Sequence, residues 1–194
     1  MTRLALLRHG HTPWNREGRI QGRTDIPLDD EARAHLSGLH LPDGFDQFAV
    51  VSSPLLRAFD TGQIVTGRAP QTIDALIEMN WGAWEGAHGV TLKADPTSGY
   101  TDIEHWGWDF RPPDGESLSD VRDRLQPWLT SLKHDTLAVC HIGIMRVILA
   151  MAHGWSFTGT PPFAVKRDRL FVIDIEGAQM TAHDDPVRLP RRSA

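Results

Sequence analysis

The chain has 194 residues, 40% of them hydrophobic and 23% charged, which fits one soluble globular domain rather than a disordered segment. Its formal charge of −5 argues against a nucleic-acid-binding surface, because a phosphate backbone requires a basic one. One cysteine, Cys140, excludes an intramolecular disulfide and a zinc site built on several thiolates. The apolar runs are too short to cross a bilayer and the first stops at Arg8, so neither a membrane span nor a secretory leader is expected, and a cytoplasmic protein is.

Leu4 to Leu7 form an uninterrupted apolar run, the pattern of a strand buried on both faces, as in a parallel sheet. It ends in Arg8-His9-Gly10-His11-Thr12. The stretch that follows, through Asn15, Gly18, Gln21-Gly22-Arg23 and Asp25-Ile26-Pro27-Leu28, is dominated by turn formers and predicts a long ordered loop. Asp29 or Asp30 then caps a helix to about Leu41. Phe48 to Val51 predicts a second buried strand. A helix from about Leu55 to Val65 follows, with Ser53 as N-cap, Pro54 at its first position and Arg57 in its first turn. Gln71 to Ile73 predicts a third strand leading towards Glu78.

From Asn80 to Arg111 the periodicity weakens, and Trp81, Trp84, Trp106 and Trp108 lie in what reads as an irregular excursion with one or two short helices. Leu118, Val121, Leu125, Trp128, Leu129 and Leu132 recur at helical spacing, with Pro127 requiring a kink or break. Thr136 to Cys140 predicts a fourth buried strand, ending in His141-Ile142-Gly143. Ile144, Val147, Ile148 and Met151 mark the next helix, stopped by Gly154. Arg169 to Ile175 and about Gln179 to His183 read as a closing hairpin, and residues 185–194 as a flexible tail. The alternation predicts an α/β fold: one domain over 1–184 with a mainly parallel sheet covered on both faces.

Two strands thus deliver a histidine to the same, C-terminal edge of the sheet, where α/β folds bind ligands. A neutral imidazole is a nucleophile near pH 7, and arginine forks match phosphate oxygens. His9 is accordingly the candidate nucleophile. Arg8, Arg57, His141 and Asn15 are the candidate phosphate binders, and Glu78 the acid/base, its pKa raised by desolvation. Gln21, Gly22, Arg23, Trp81, Trp84 and Arg111 are candidates for the substrate pocket. Taken singly, each has a structural reading: a satisfied strand-end histidine, a solvated helix arginine, an exposed loop carboxylate. His11, His88, His105 and His153 show no ligand spacing, so no metal site and no cofactor are expected.

The residues resemble the histidine phosphatase superfamily, the phosphoglycerate mutase-like family. The resemblance rests on Arg8-His9-Gly10-His11-Thr12 with Asn15, on Gly22…Asp25-Ile26-Pro27-Leu28, and on Ser52-Ser53-Pro54-Leu55…Arg57-Ala58…Thr61. It continues in Glu78-Met79-Asn80-Trp81-Gly82-Ala83-Trp84-Glu85-Gly86, Pro113-Asp114-Gly115-Glu116-Ser117 and His141-Ile142-Gly143, in the family's order. It implies a three-layer α/β/α sandwich in which His9 is phosphorylated, Arg8, Arg57 and His141 bind the phosphoryl group and Glu78 is the acid/base. His11 and Ile142 depart from the commoner family residues, but the resemblance still implies that the backbone N–H of Ile142 binds phosphate.

The implied activity is metal-independent hydrolysis of a small phosphorylated metabolite, resembling the broad-specificity and α-ribazole phosphatases. The alternatives are a phosphoglycerate mutase-type phosphotransferase and a non-catalytic phospho-ligand or protein-binding member. Neither nucleic acid nor membrane is an expected partner. The one protein partner considered is a second copy, in a homodimer.

Overall fold

In the computed structural model, which describes residues 1–192, the chain begins with β1 (Thr2–Arg8), α1 (Pro13–Glu17), α2 (Asp30–Ser37), β2 (Ala49–Ser52), α3 (Leu56–Thr66) and β3 (Gln71–Thr72). It continues with α4 (Gly89–Ala94), α5 (Leu118–Ser131), β4 (Thr136–Cys140), α6 (Ile142–His153), β5 (Arg169–Glu176), β6 (Gln179–Ala182) and β7 (Val187–Arg188). Short 3₁₀ turns lie at Asp74–Leu76 and Gly82–Trp84.

The sheet order is β3-β2-β4-β1-β5-β6, with β7 also on β5. β1, β2, β3 and β4 pair in parallel, and β5 closes against β1 antiparallel. Leu4 and Leu6 face α5 and α6 through Val121, Leu125, Ile144, Val147 and Ile148. Ala5 and Leu7 face α2 and α3 through Ala32, Leu36, Ala58 and Val65. Side chains alternate along a strand, so helices on both faces require both sets to be apolar, and the run Leu4–Leu7 is. The result is a three-layer α/β/α sandwich. No described helix is long and apolar enough to cross a membrane.

The structure departs from the sequence-based expectations at several places. The loop after His9 contains α1, because Thr12 and Asn15 form a reciprocal capping box, Pro13 fits the first turn and Gly18 ends it with φ 72°. α2 stops at Ser37 rather than near Leu41, and the Gly38 carbonyl accepts Arg192 N–H at 2.8 Å. Ser53 does not cap α3. Its first turn is met instead by Asp25, whose carboxylate accepts Leu56 N–H at 2.9 Å. α5 runs through Pro127, which is exposed, so the carbonyl left without its helical donor faces water.

The expected flexible tail is docked as far as it is described. β7 pairs with β5, Leu189 is 2% exposed and Leu189 N–H bonds the Asp168 carbonyl at 2.9 Å. Ser193 and Ala194 lie outside the described residues. Leu189→Ala should lower the unfolding free energy in urea by about 2 kcal/mol or more, as for other large-to-small core changes. A change below about 0.5 kcal/mol, the surface value, would show that the segment does not dock.

Candidate active site

Parallel pairing of β1 with β4 sets Arg8 opposite Cys140, and His9 N–H continues the ladder to the Cys140 carbonyl at 3.0 Å. The next residue on each chain is a histidine, and the rings of His9 and His141 lie 5.1 Å apart between centroids, tilted by 56°. His9 is 3% exposed and His141 fully buried. The Nδ1–H of His9 donates to the Gly10 carbonyl at 2.6 Å, which leaves Nε2 as the lone-pair nitrogen. Burial first, then the positive charges of Arg57, Arg8 and Arg167, hold His9 well below the usual histidine pKa, so the ring is neutral.

Gly10 is required by close approach: a Cβ there would meet Leu36 Cδ1 at 2.8 Å. Its N–H is held by Thr61 Oγ1 at 3.0 Å, which ties the strand end to α3. From the first turn of the same helix comes Arg57, fully buried. It donates to the carbonyls of Gly22 at 2.6 Å and Thr24 at 3.0 Å, and through Nε to His141 Nδ1 at 3.3 Å. An arginine only donates, so His141 carries its proton on Nε2 and gives it to Ser53 Oγ at 2.7 Å. Burial and Arg57 lower its pKa well below the usual value. His141 therefore directs no ring N–H at the cleft. It backs Arg57 and His9 instead of offering the free cationic donor expected from the sequence.

Glu78 is 2% exposed and is held by two backbone donors, Met79 N–H at 2.8 Å and Gly143 N–H at 3.2 Å. Burial raises its pKa against the opposing pull of those hydrogen bonds, Arg57 and Arg8. The segment that carries it is bolted down by Arg124. That side chain bonds the Ala75 carbonyl and, at 2.8 Å, the Ile77 carbonyl, and pairs with Glu116 at 3.0 Å. Gly143, the second residue of α6, lets the carboxylate approach, since a Cβ there would collide with Glu78 Oε1.

These groups open into a cleft of about 540 Å³ lined by Arg8, His9, Asn15, Gln21, Glu78, Trp81, Ile142 and Arg146, and roofed from the excursion by Lys93, Tyr100, Asp102, Ile103, Glu104 and Trp106. Of the four buried side-chain polar atoms without a partner among the described residues, two are donors from this lining, Arg8 Nε and Gln21 Nε2. Burial, with help from Arg167, brings the pKa of Arg8 down to about 9, so it remains charged at neutral pH. Among the described residues none of Arg8, Arg57, Arg146 and Arg167 has a carboxylate within ion-pairing distance. Desolvated donors and unpaired guanidinium groups converging on one cleft are the chemistry of an anion site. No cluster of three or more His, Cys, Asp or Glu suited to a metal occurs among the described residues.

The structure thus brings together His9, Arg8, Arg57, His141, Glu78, Asn15, Gln21, Ile142 and Trp81. It does not bring in the other pocket candidates. Trp84 is buried behind the cleft against Tyr100 and Phe110. Arg111 points away and pairs with Asp120 at 2.7 Å. Arg23 pairs with Glu116 at 2.9 Å, and Gly22 contributes its carbonyl to Arg57 rather than a cleft surface. Two residues were missed: Arg146 on α6, one turn beyond Ile142, and Arg167 before β5. Helical spacing from Ile142 would have found the first; nothing local in the sequence marks the second.

Comparison with known proteins agrees with this geometry. Residues 4–184 match the histidine phosphatase superfamily (branch 1). An acid phosphatase of Mycobacterium tuberculosis is 31% identical over 155 residues, 76% of this chain and 73% of that protein. The uncharacterized phosphatase PhoE of Bacillus subtilis is 30% identical over 161 residues, 79% of each. Among solved structures, a phosphoglycerate mutase from Thermus thermophilus superposes with a TM-score of 0.76 at 33% identity, covering 98% of this chain and 100% of that one. With β1, His9 and the paired His141 inside the matched span, the chain belongs to the histidine phosphatase superfamily.

Proposed function

We propose that the protein is a phosphatase that hydrolyses phosphomonoesters of small metabolites through a phosphohistidine at His9. The observation that carries this reading is the state of His9: a neutral ring, its Nδ1 proton held by the Gly10 carbonyl, its Nε2 lone pair uncommitted, in a cleft whose unpartnered donors are the Arg8 guanidinium Nε and the Gln21 amide. In the first step Nε2 attacks phosphorus and the ester P–O bond breaks. Glu78, whose protonated form is favoured by burial, delivers a proton to the departing oxygen. In the second, the Glu78 carboxylate takes a proton from water, the water oxygen attacks phosphorus, the N–P bond breaks and phosphate leaves.

Charge on the transferring phosphoryl group is met by Arg8, by the two N–H donors that Arg57 has left of its five, and by Gln21 and Asn15. On this reading no metal is needed, because the arginines supply the positive charge. His141 serves by holding Arg57 and packing on His9. The cleft volume suits a metabolite-sized ester, with Trp81 and Trp106 giving apolar walls and Arg146 a cation beside Glu78.

His9→Ala should abolish turnover of every phosphomonoester, and a fully active variant would exclude the mechanism. Glu78→Gln should slow alkyl phosphates by about 10²-fold or more while sparing activated aryl phosphates, whose leaving groups need little protonation. Equal losses on both would remove Glu78 from the acid role. The pKa directions fix the pH dependence. Activity on alkyl phosphates rises as His9 loses its proton, well below pH 6.5, and falls as Glu78 ionises above its usual 4.5, giving an acid-shifted bell. On aryl phosphates the alkaline limb should disappear.

Gly143→Ala would ordinarily favour a helix by about 1 kcal/mol. Here it should displace Glu78 and cut alkyl phosphate turnover about 10–100-fold with the fold intact by circular dichroism. Wild-type turnover would contradict the packing argument. Activity lost in a chelator and restored by one divalent ion would contradict metal independence. Phosphate appearing on a phosphoglycerate acceptor in preference to water would favour the mutase reading.

A further inference from the structure

The antiparallel register of β5 on β1 pairs Leu170 with Leu7, so three places further on Arg167 reaches the level of Gly10, beside the nucleophile. Asp168 turns the chain there, with φ 58°, a conformation that aspartate tolerates better than most residues. That turn is anchored twice: Asp168 Oδ2 meets His35 Nε2 at 2.8 Å, and the Asp168 carbonyl accepts Leu189 N–H at 2.9 Å. α2 and the docked C-terminal segment therefore aim Arg167 at the strand end.

Its guanidinium makes two bonds. Nε donates to the His9 carbonyl at 3.1 Å, and Nη2 donates to Asn15 Oδ1 at 2.8 Å. The second bond starts a chain with one direction. A guanidinium has no acceptor, so Asn15 must present its oxygen to Arg167 and its NH₂ elsewhere. That Nδ2 donates to Gln21 Oε1 at 3.2 Å, which also receives Thr12 Oγ1 at 2.7 Å. With its oxygen doubly engaged, Gln21 turns its own NH₂ outward, and Nε2 is one of the unpartnered donors of the cleft. Without Arg167 only the longer capping contact from Thr12 N–H to Asn15 Oδ1, at 3.3 Å, opposes a flip of both amides, which would put oxygens where an anion binds.

We propose that Arg167 is the positioning residue of this site. It fixes the backbone of His9 and, through Asn15 and Gln21, forces the amide wall of the cleft to present donors to phosphate. This rests on the phosphate-binding reading of the cleft given above. Arg167 touches no substrate and acts through the groups it orients.

Its charge also reaches His9, which is faced by Arg8 from its own strand, Arg57 and Thr61 from α3, His141 from the start of α6, and Glu78 from beyond β3. Arg167→Met removes both the charge and the two bonds. Arg167→Lys keeps the charge without the planar two-point fork.

The experiment measures, for both variants and the wild type, inorganic phosphate binding by calorimetry and the pH profile of aryl phosphate turnover. Arg167→Met should weaken phosphate about tenfold or more and move the acid limb to higher pH, because His9 gains proton affinity when a neighbouring cation is lost. Arg167→Lys should restore the acid limb but not phosphate affinity. Unchanged phosphate affinity in Arg167→Met overturns the proposal. So does equal weakening in both variants with an unmoved acid limb and a lowered melting temperature, the mark of a merely structural arginine. If Arg167→Met does not fold, Arg167→Lys alone decides: wild-type phosphate affinity overturns the relay, and weakened affinity with a wild-type acid limb supports it. Phosphate affinity reports on the relay even if no phosphohistidine forms. Failure of the covalent mechanism appears instead as an active His9→Ala.

Discussion

The site depends on the register of β1 against β4. Parallel pairing of Arg8 with Cys140 brings two chain ends, far apart in sequence, to one edge of the sheet, each continuing into a histidine. A slip of one residue would exchange the Leu4/Leu6 and Ala5/Leu7 faces and carry Arg3 or Arg8 into an apolar layer, which the packed helices on both sides oppose. The cores that α2 and α3 build on one side, and α5 and α6 on the other, thus do more than stabilise the domain. They hold the His9 and His141 rings at 5.1 Å and Arg57 behind them with little freedom to move.

The same arrangement concentrates positive charge in a protein that is acidic overall. Arg8 and Arg146 line the cleft and Arg57 and Arg167 stand close to His9, and none meets a carboxylate among the described residues, whereas arginines on the outer surface such as Arg3, Arg16 and Arg33 do. Desolvating unpaired guanidinium groups costs stability, and burial first, then the excess charge, depresses the pKa values of both histidines and of Arg8 itself. On the proposed reading that cost is offset when the phosphate of a substrate enters. The same burial acts in opposite directions on the two titrating groups: with the neighbouring arginines it lowers the pKa of His9, and it raises that of Glu78. One dry environment pushes a base and an acid into the complementary states the chemistry needs.

Much of this was legible in the sequence, for physical reasons. Strands buried on both faces cannot alternate, so Leu4–Leu7 and Leu137–Cys140 stood out, and the residues at their ends pointed to the ligand edge. The family resemblance connected Arg57 and Glu78 to them. What escaped notice depended on contacts between distant segments. Arg167 gains its place from the register of β5 and a left-handed Asp168. The docking of Leu189 depends on a groove made by α2 and β5. The hydrogen bonds that neutralise His141 come from Ser53 and Arg57. The tryptophans were misread in part because an aromatic segment can wall a pocket or fill a core. Trp81 lies in the cleft wall, while Trp84, three residues away, sits in the core.

The most direct test of the account is to trap the covalent species. Wild-type protein mixed with a labelled phosphomonoester, quenched in alkali where phosphohistidine survives, and digested for mass spectrometry should carry phosphate on the peptide containing His9. ³¹P NMR should assign it to the Nε2 linkage, because Nδ1 is committed to the Gly10 carbonyl. Phosphate on Nδ1, on another residue, or on none during active turnover would contradict it.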